Sequence, residues 1–270
     1  MSPVVRPHRA LSIGGSDSSG GAGVQADLKT FERHRVWGLS AVVAVTAQDT
    51  TGLVVFETVS PGLLRQQIVR VVTDVGVTSA KTGMLATGDH VAAVARAVSD
   101  YRITPLVIDP VMAASVGGRL LSPDGVDALR QELVPLAALV TPNLGEAAVL
   151  AGGGDVSDRP GMRAAALEIR ARGVSAVLVT GGHLEGPAAD LLLLEDEEIW
   201  LAEERLAAGH THGTGCVLSA AVAARLARGE SVLAAVRGAK RFVTAAIAAG
   251  FPLGAGVGPV DPGAVPPELC

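Results

Sequence analysis

The sequence predicts an α/β fold built on a mostly parallel sheet, and three observations carry that prediction. Short apolar runs of strand length alternate with segments of helical periodicity along nearly the whole chain. Glycine-rich and polar turns punctuate the ends of those runs. The 270 residues are 49% hydrophobic, enough to bury a large core. No composition break marks a linker and no internal repeat stands out, so residues 1–270 read as one domain.

Residues 10–13 read as a short buried strand that opens into a glycine-rich loop over 14–23. A helix follows over 24–34, with Val24, Leu28 and Phe31 on one face. Residues 40–46 are strongly β-prone and read as a central strand. Residues 49–52 form a turn, and 53–59 alternate as a smaller edge strand. Pro61 suits the first turn of a helix to about residue 75, where Leu64, Ile68, Val71 and Val72 keep helical spacing. A strand at 79–82, a helix at 89–100 and a strand at 106–109 come next. After a loop at 111–122, a helix spans about 123–133, a strand 138–141, and a helix opens at Pro142-Asn143. A helix at 163–172 leads to a strand at 176–179. Residues 191–194 and 199–202 read as a hairpin around an acidic turn. Helices at about 214–228 and 231–249 precede an irregular tail rich in Gly and Pro.

Composition excludes several classes of function. A net charge of -5 argues against a nucleic-acid binder, which would carry a basic patch. Lysine occurs only at Lys29, Lys81 and Lys240, and each taken singly is expected at the surface. Two cysteines, Cys216 and Cys270, make no disulfide framework and fit a reducing compartment. The first 14 residues lack the apolar core of a signal peptide, and no apolar run approaches the ~18–20 residues of a membrane span. The expectation is a soluble cytoplasmic protein.

In a parallel sheet, ligands sit beyond the carboxyl ends of the strands. That rule gathers the loop from Gly14, then Gln48, Met84, Asp109 with Val111, Asn143 with Glu146, and Gly181-Gly182. It also gathers His210-Thr211-His212-Gly213-Thr214-Gly215-Cys216, which feeds the small-residue run Val217–Ala224. A glycine turn entering a helix presents unpaired N–H groups and partial positive charge, a site for anions. Cys216 lies in the first helical turn, where a thiol pKa tends to fall. The plainer alternative is a loop-to-helix join with a buried thiol. His210 and His212 form the one pair near zinc-ligand spacing, and His212 beside Cys216 is a weak candidate base–nucleophile pair with no third member. Phosphoryl transfer fits the collection better: it needs anion-binding backbone, carboxylate-held Mg²⁺ and a positioned acceptor. Asp109 and Glu146 are the acids at hand, and Glu146 shares one face of a helix start with Asn143.

Several motifs, in order, extend this reading. Residues 15–27 (GSDSSGGAGVQAD), Thr46-Ala47-Gln48-Asp49-Thr50, Lys81-Thr82-Gly83-Met84-Leu85 and Asp109-Pro110-Val111-Met112 are followed by Thr141–Ala147, Gly181-Gly182-His183, Thr211–Cys216 and Gly256–Val260. Together they resemble the hydroxymethylpyrimidine/phosphomethylpyrimidine kinases of thiamine biosynthesis over nearly the whole chain. The resemblance implies a ribokinase-like three-layer α/β/α sandwich, often homodimeric, using ATP and Mg²⁺. It implies that Asp27 and Gln48 hydrogen-bond an aminopyrimidine, whose amine donor and ring-nitrogen acceptor suit a carboxylate and an amide. Gly15, Met84 and Val111 would line the ring's apolar faces. Asn143 and Glu146 resemble the Mg²⁺–phosphate motif, with Asp109 near the metal. Gly213, Gly215 and Cys216 resemble the hole around the transferred phosphoryl group, where related sugar kinases carry an aspartate base and a thiolate would stand here. Thr180, Gly182 and Lys240 fall on the nucleotide side.

The sequence departs from the family pattern in three places. Ser18 stands where the family usually has Pro, and Thr180 where it commonly has Lys. Ser115-Val116-Gly117 stands where Lys-Ser-Gly is usual. Two other readings compete: a pyridoxal or pyridoxine kinase, because a pyridine with a hydroxymethyl arm has similar shape, and a non-catalytic pyrimidine-binding protein.

Overall fold

The computed structural model describes residues 7–114, 118–182, 188–195, 197–203 and 206–270. In chain order the elements are β1 (Arg9–Gly15), α1 (Gly23–Arg33), β2 (Trp37–Asp49), β3 (Gly52–Thr58), α2 (Pro61–Asp74) and β4 (Ser79–Thr82). Then come α3 (Gly88–Tyr101), β5 (Leu106–Ile108), α4 (Pro123–Ala128), β6 (Leu139–Val140), α5 (Leu144–Ala151) and α6 (Arg159–Arg170). The chain closes with β7 (Val177–Val179), β8 (Ala188–Leu193), β9 (Glu198–Glu203), α7 (Thr214–Ala227) and α8 (Val232–Ala248).

The strands form one nine-stranded sheet in the order β3-β2-β1-β4-β5-β6-β7-β8-β9. Neighbours from β2 to β7 pair parallel, while β3, β8 and β9 pair antiparallel at the two edges. Because strand side chains alternate across the sheet, single strands feed two cores. Leu106 and Ile108 pack on one face with α2 to α6, and Val107 packs on the other with α1, α7 and α8. The result is a three-layer α/β/α sandwich. From β1 the chain runs first to β2 on one side and later to β4 on the other. That reversal opens a crevice beyond the carboxyl ends of β1 and β4.

Local chemistry explains the element ends. Ser60 and Ser231 cap α2 and α8 by accepting from Leu63 and Ala234 backbone N–H groups. Asn143 and Glu146 close a reciprocal capping box at the start of α5. Differences from the sequence expectation are local. The 40–46 strand is longer and lies second from the edge, where the β3 hairpin covers it. The 163–172 helix starts earlier, at Arg159, because Asp158 caps it by accepting from Gly161 and Pro160 fits its first turn. The 123–133 helix continues from α4 through a π turn at Leu129–Leu133. Ser115, Val116, Gly117 and His183 lie outside the described residues.

Candidate active site

One cleft of about 1030 Å³ lies at the carboxyl ends of the strands. Every site residue expected from sequence lines it: Gly15, Asp27, Gln48, Met84, Asp109, Val111, Asn143, Glu146, Thr180, Gly182, Gly213, Gly215, Cys216 and Lys240. The strand ends supply most of them. Gln48 sits at a register shift near the end of β2, which re-aims the strand at the hairpin.

The loop after β1 is organised by Asp17, a buried carboxylate. It accepts hydrogen bonds from the Ser19 N–H and hydroxyl and from the Gly21 and Ala22 N–H groups. His212 Nε2 donates to the same carboxylate at 2.9 Å, so the loop entering α1 is tied to the loop entering α7. The hydrogen bond of His212 Nε2 is thus to that carboxylate and not to the Cys216 thiol. The His210 ring accepts from the Gly258 N–H at Nδ1, 3.2 Å away. Burial alone would raise the Asp17 pKa, but His212 and the Ser19 and Ala22 donors outweigh it and hold it at about 2. A depressed folded pKa contributes stability above the unfolded value of 3.8, and that contribution disappears as pH falls through about 2. It is worth about 2 kcal/mol. Urea unfolding of wild type and Asp17→Asn checks this. Their gap should narrow by about that amount between roughly pH 5 and pH 2, and a gap independent of pH contradicts it.

Lys81 on β4 is the residue that sequence reasoning placed wrongly at the surface. It is 1% exposed, and its ammonium lies 3.0 and 3.1 Å from the two Asp27 carboxylate oxygens and 3.7 Å from Asp109 Oδ2. Ser12 on β1 donates to Asp27 Oδ2 at 2.6 Å, and Ser219 on α7 donates to Asp109 Oδ2 at 2.9 Å. Burial works against the Lys81 charge, but Asp27 foremost, then Cys216 and Asp109, raise its pKa above the ordinary value. Lys81 therefore stays protonated in the wall of the cleft.

The anion loop has the geometry expected of a helix-start site. Gly213 caps α7 in the left-handed region at φ 83°, and a Cβ there would lie 1.8 Å from the Gly21 carbonyl oxygen. Glycine is required on both counts. At Gly215 a Cβ would meet nothing within 4 Å, because the position faces the open cleft. Cys216 departs from the sequence expectation of a lowered pKa. Burial pushes its thiol up to about 12; Lys81 pulls the other way, and Asp109 and Asp27 add to the rise. Desolvation outweighs the helix N-terminus, and the group at rest is a thiol, not a thiolate.

Asp109 and Glu146 form the acidic side. Burial raises both carboxyls; Glu146 is pushed up to about 8, with the nearby Asp109 charge adding to the effect. Glu146 Oε2 accepts from the Asn143 N–H, so the capping role of this pair is real. Two neighbouring carboxyls fit a hard divalent cation, whose charge would favour their ionised forms, and Mg²⁺ is commonly held by one or two carboxylates plus substrate phosphates. Among the described residues no group of three or more His, Cys, Asp or Glu could hold a metal ion. On the opposite side Lys240 contacts Asp190 Oδ2, whose other oxygen accepts from the Gly181 N–H at 2.9 Å. Thr180, in place of the family's lysine, donates its N–H to the Pro142 carbonyl.

Comparison with known proteins matches this geometry. A family profile described as phosphomethylpyrimidine kinase matches residues 17–261. The hydroxymethylpyrimidine/phosphomethylpyrimidine kinase of Streptomyces coelicolor is 46% identical over 261 residues, covering 97% of this chain and 96% of its own. The Bacillus subtilis pyridoxal kinase, solved as an ADP complex, superposes with a TM-score of 0.89 at 40% identity, covering 94% of this chain and 97% of its own. The Staphylococcus aureus pyridoxal kinase with AMP-PCP and pyridoxal also gives 0.89, at 34% identity, covering 96% of this chain and 94% of its own. With the three-layer sandwich, the cleft at its strand reversal and a match over nearly the whole length, the chain belongs to the phosphomethylpyrimidine kinase family, of ribokinase-like fold.

Proposed function

We propose that this cleft transfers the γ-phosphoryl group of ATP to 4-amino-5-hydroxymethyl-2-methylpyrimidine and then to its monophosphate, in thiamine biosynthesis. The family is one of phosphotransferases, so the non-catalytic binding reading falls away. The observation that carries the proposal is that one cleft gathers both sets of residues. Asp27 and Gln48 offer an acceptor and an amide to an aminopyrimidine edge, and Gly15, Met84 and Val111 offer apolar contact. Gly213, Gly215 and Cys216 stand at the helix start, where developing negative charge is stabilised. Cys216 serves as a protonated member of this anion hole. Asn143, Thr180, Gly182 and Lys240 face the nucleotide. Asp109 and Glu146 would hold Mg²⁺, which neutralises phosphate charge during transfer.

The reading extends to the assembly and its setting. Residues 1–270 act as one kinase domain in the cytoplasm. The implied homodimer is supported by the β2–β3 hairpin, where Val45, Val54 and Val55 are 60%, 82% and 54% exposed. Sedimentation equilibrium reads this, and a monomer contradicts it. No helix among the described residues is long and apolar enough to cross a membrane. A second reading, pyridoxal phosphorylation, is favoured by the close superposition on two pyridoxal kinases. Comparing kcat/KM for the two rings separates them.

The two sets of residues predict a split in mutant kinetics. Asp27→Asn should raise KM for the pyrimidine about tenfold, a loss of one charged hydrogen bond, and change kcat less. Cys216→Ala should lower kcat by roughly 100-fold with KM nearly unchanged. Parallel changes in both variants contradict the division.

A further inference from the structure

Asp27 reaches the cleft from α1, yet its two oxygens are already engaged. Lys81 Nζ lies 3.0 Å from Oδ1 and 3.1 Å from Oδ2, and the Ser12 hydroxyl donates to Oδ2 at 2.6 Å. The charged and titratable groups around the carboxylate are Lys81 from β4, Asp109 from the end of β5 and Cys216 from the start of α7. Lys81 is the one cation among them. An ammonium against both oxygens leaves no place for a carboxyl proton on that side. An ionised carboxylate only accepts hydrogen bonds, whereas a protonated one also donates.

We propose that Lys81 is a specificity-determining positioning residue: with Ser12 it fixes Asp27 as a pure hydrogen-bond acceptor, so that the cleft selects rings presenting an N–H donor at that edge. The inference rests on the reading that Asp27 touches the ring. Lys81 lines the cleft while only 1% exposed, and its ammonium is turned to the Asp27 and Asp109 carboxyls. A ring with only lone pairs at this edge meets a buried negative oxygen and no donor, and a polar group left unmatched in a buried site is strongly penalised. Burial already raises the Asp27 pKa against the pull of Lys81, and without the ammonium that rise loses its chief opposing charge. The carboxyl then takes up a proton and becomes able to donate to a ring nitrogen. Lys81 thus sets the polarity of the recognition group through Asp27.

The test is calorimetric binding of two rings to the full-length protein: 4-amino-5-hydroxymethyl-2-methylpyrimidine and its analogue lacking the amino group. Wild type should favour the amino ring by about 30-fold. Lys81→Met should reduce that ratio by tenfold or more, toward parity. Lys81→Gln keeps a neutral donor to Asp27 and serves where Lys81→Met does not fold; it should reduce the ratio likewise. Both substitutions would weaken the two rings in parallel, with the ratio kept, if Lys81 were merely structural, and that result overturns the proposal. Asp27→Asn distinguishes the two levels. If it abolishes the preference while the Lys81 variants keep it, Asp27 reads the ring and Lys81 does not set its polarity. If it keeps the preference, Asp27 does not contact the amino group, and both the ring reading and this proposal fail.

Discussion

Replacing Lys81 with Met should lower the free energy of unfolding by about 3–5 kcal/mol, among the largest effects of any single change in this chain. The ammonium is fully buried and faces two carboxylates, Asp27 and Asp109, so its removal strips both of their counter-charge, and the folded state must take up a proton on Asp27 to avoid a buried unpaired anion. Methionine fills a similar volume, so the loss is electrostatic and not a cavity effect. The pair should therefore show strong coupling. The Lys81→Met/Asp27→Asn double variant places a neutral side chain where that cost arises and should recover a large part of the loss, giving an interaction energy of about 1–3 kcal/mol. Urea melts of the four proteins read the cycle. Additive losses would mean that the two groups do not act as an ion pair.

The second large effect concerns the anion loop, where two glycines two residues apart should behave differently. Gly213→Ala forces a Cβ to within 1.8 Å of the Gly21 carbonyl and demands φ 83° from an alanine. The loop must move, and with it the link between the α1 and α7 entries that His212 and Asp17 maintain. Both stability and activity should fall, stability by about 1–3 kcal/mol from backbone strain alone. Gly215→Ala meets no neighbour and needs no unusual φ, so its Tm should stay near wild type. Its methyl projects into the cleft where the transferred group would pass, and kcat should still drop by at least tenfold. Thermal melts beside initial rates check the contrast. Equal Tm losses in the two variants would contradict it.

Much of this was legible in the sequence because the determinants are local. The glycine turn before Cys216, the Asn143–Glu146 spacing and the strand ends at Met84 and Asp109 are short-range patterns, and the strand-end rule was enough to collect them. What the sequence did not reveal is pairing across the sheet. Lys81 and Asp27 are 54 positions apart, and Asp17 and His212 are 195 apart. No periodicity marks such partners, and a lone lysine on a four-residue strand looks like a surface residue until the neighbouring strands enclose it. The Cys216 expectation failed for a related reason. The helix start that lowers a thiol pKa was visible, whereas the rise comes from burial and from groups on α1, on β4 and just after β5 that gather around the same atom. The scarcity of lysine was the available hint: Lys81 and Lys240 both line the cleft, and Lys29 ties back to the Gly20 carbonyl of its entry loop.

Product analysis is the most direct measurement of the central claim. The purified protein is incubated with ATP, Mg²⁺ and 4-amino-5-hydroxymethyl-2-methylpyrimidine, and the ring-containing products are followed by mass spectrometry over time. The account predicts the monophosphate first and the diphosphate after it, with ADP formed in step. ATP turnover that leaves the ring unphosphorylated, or no turnover with either the alcohol or its monophosphate, would contradict it.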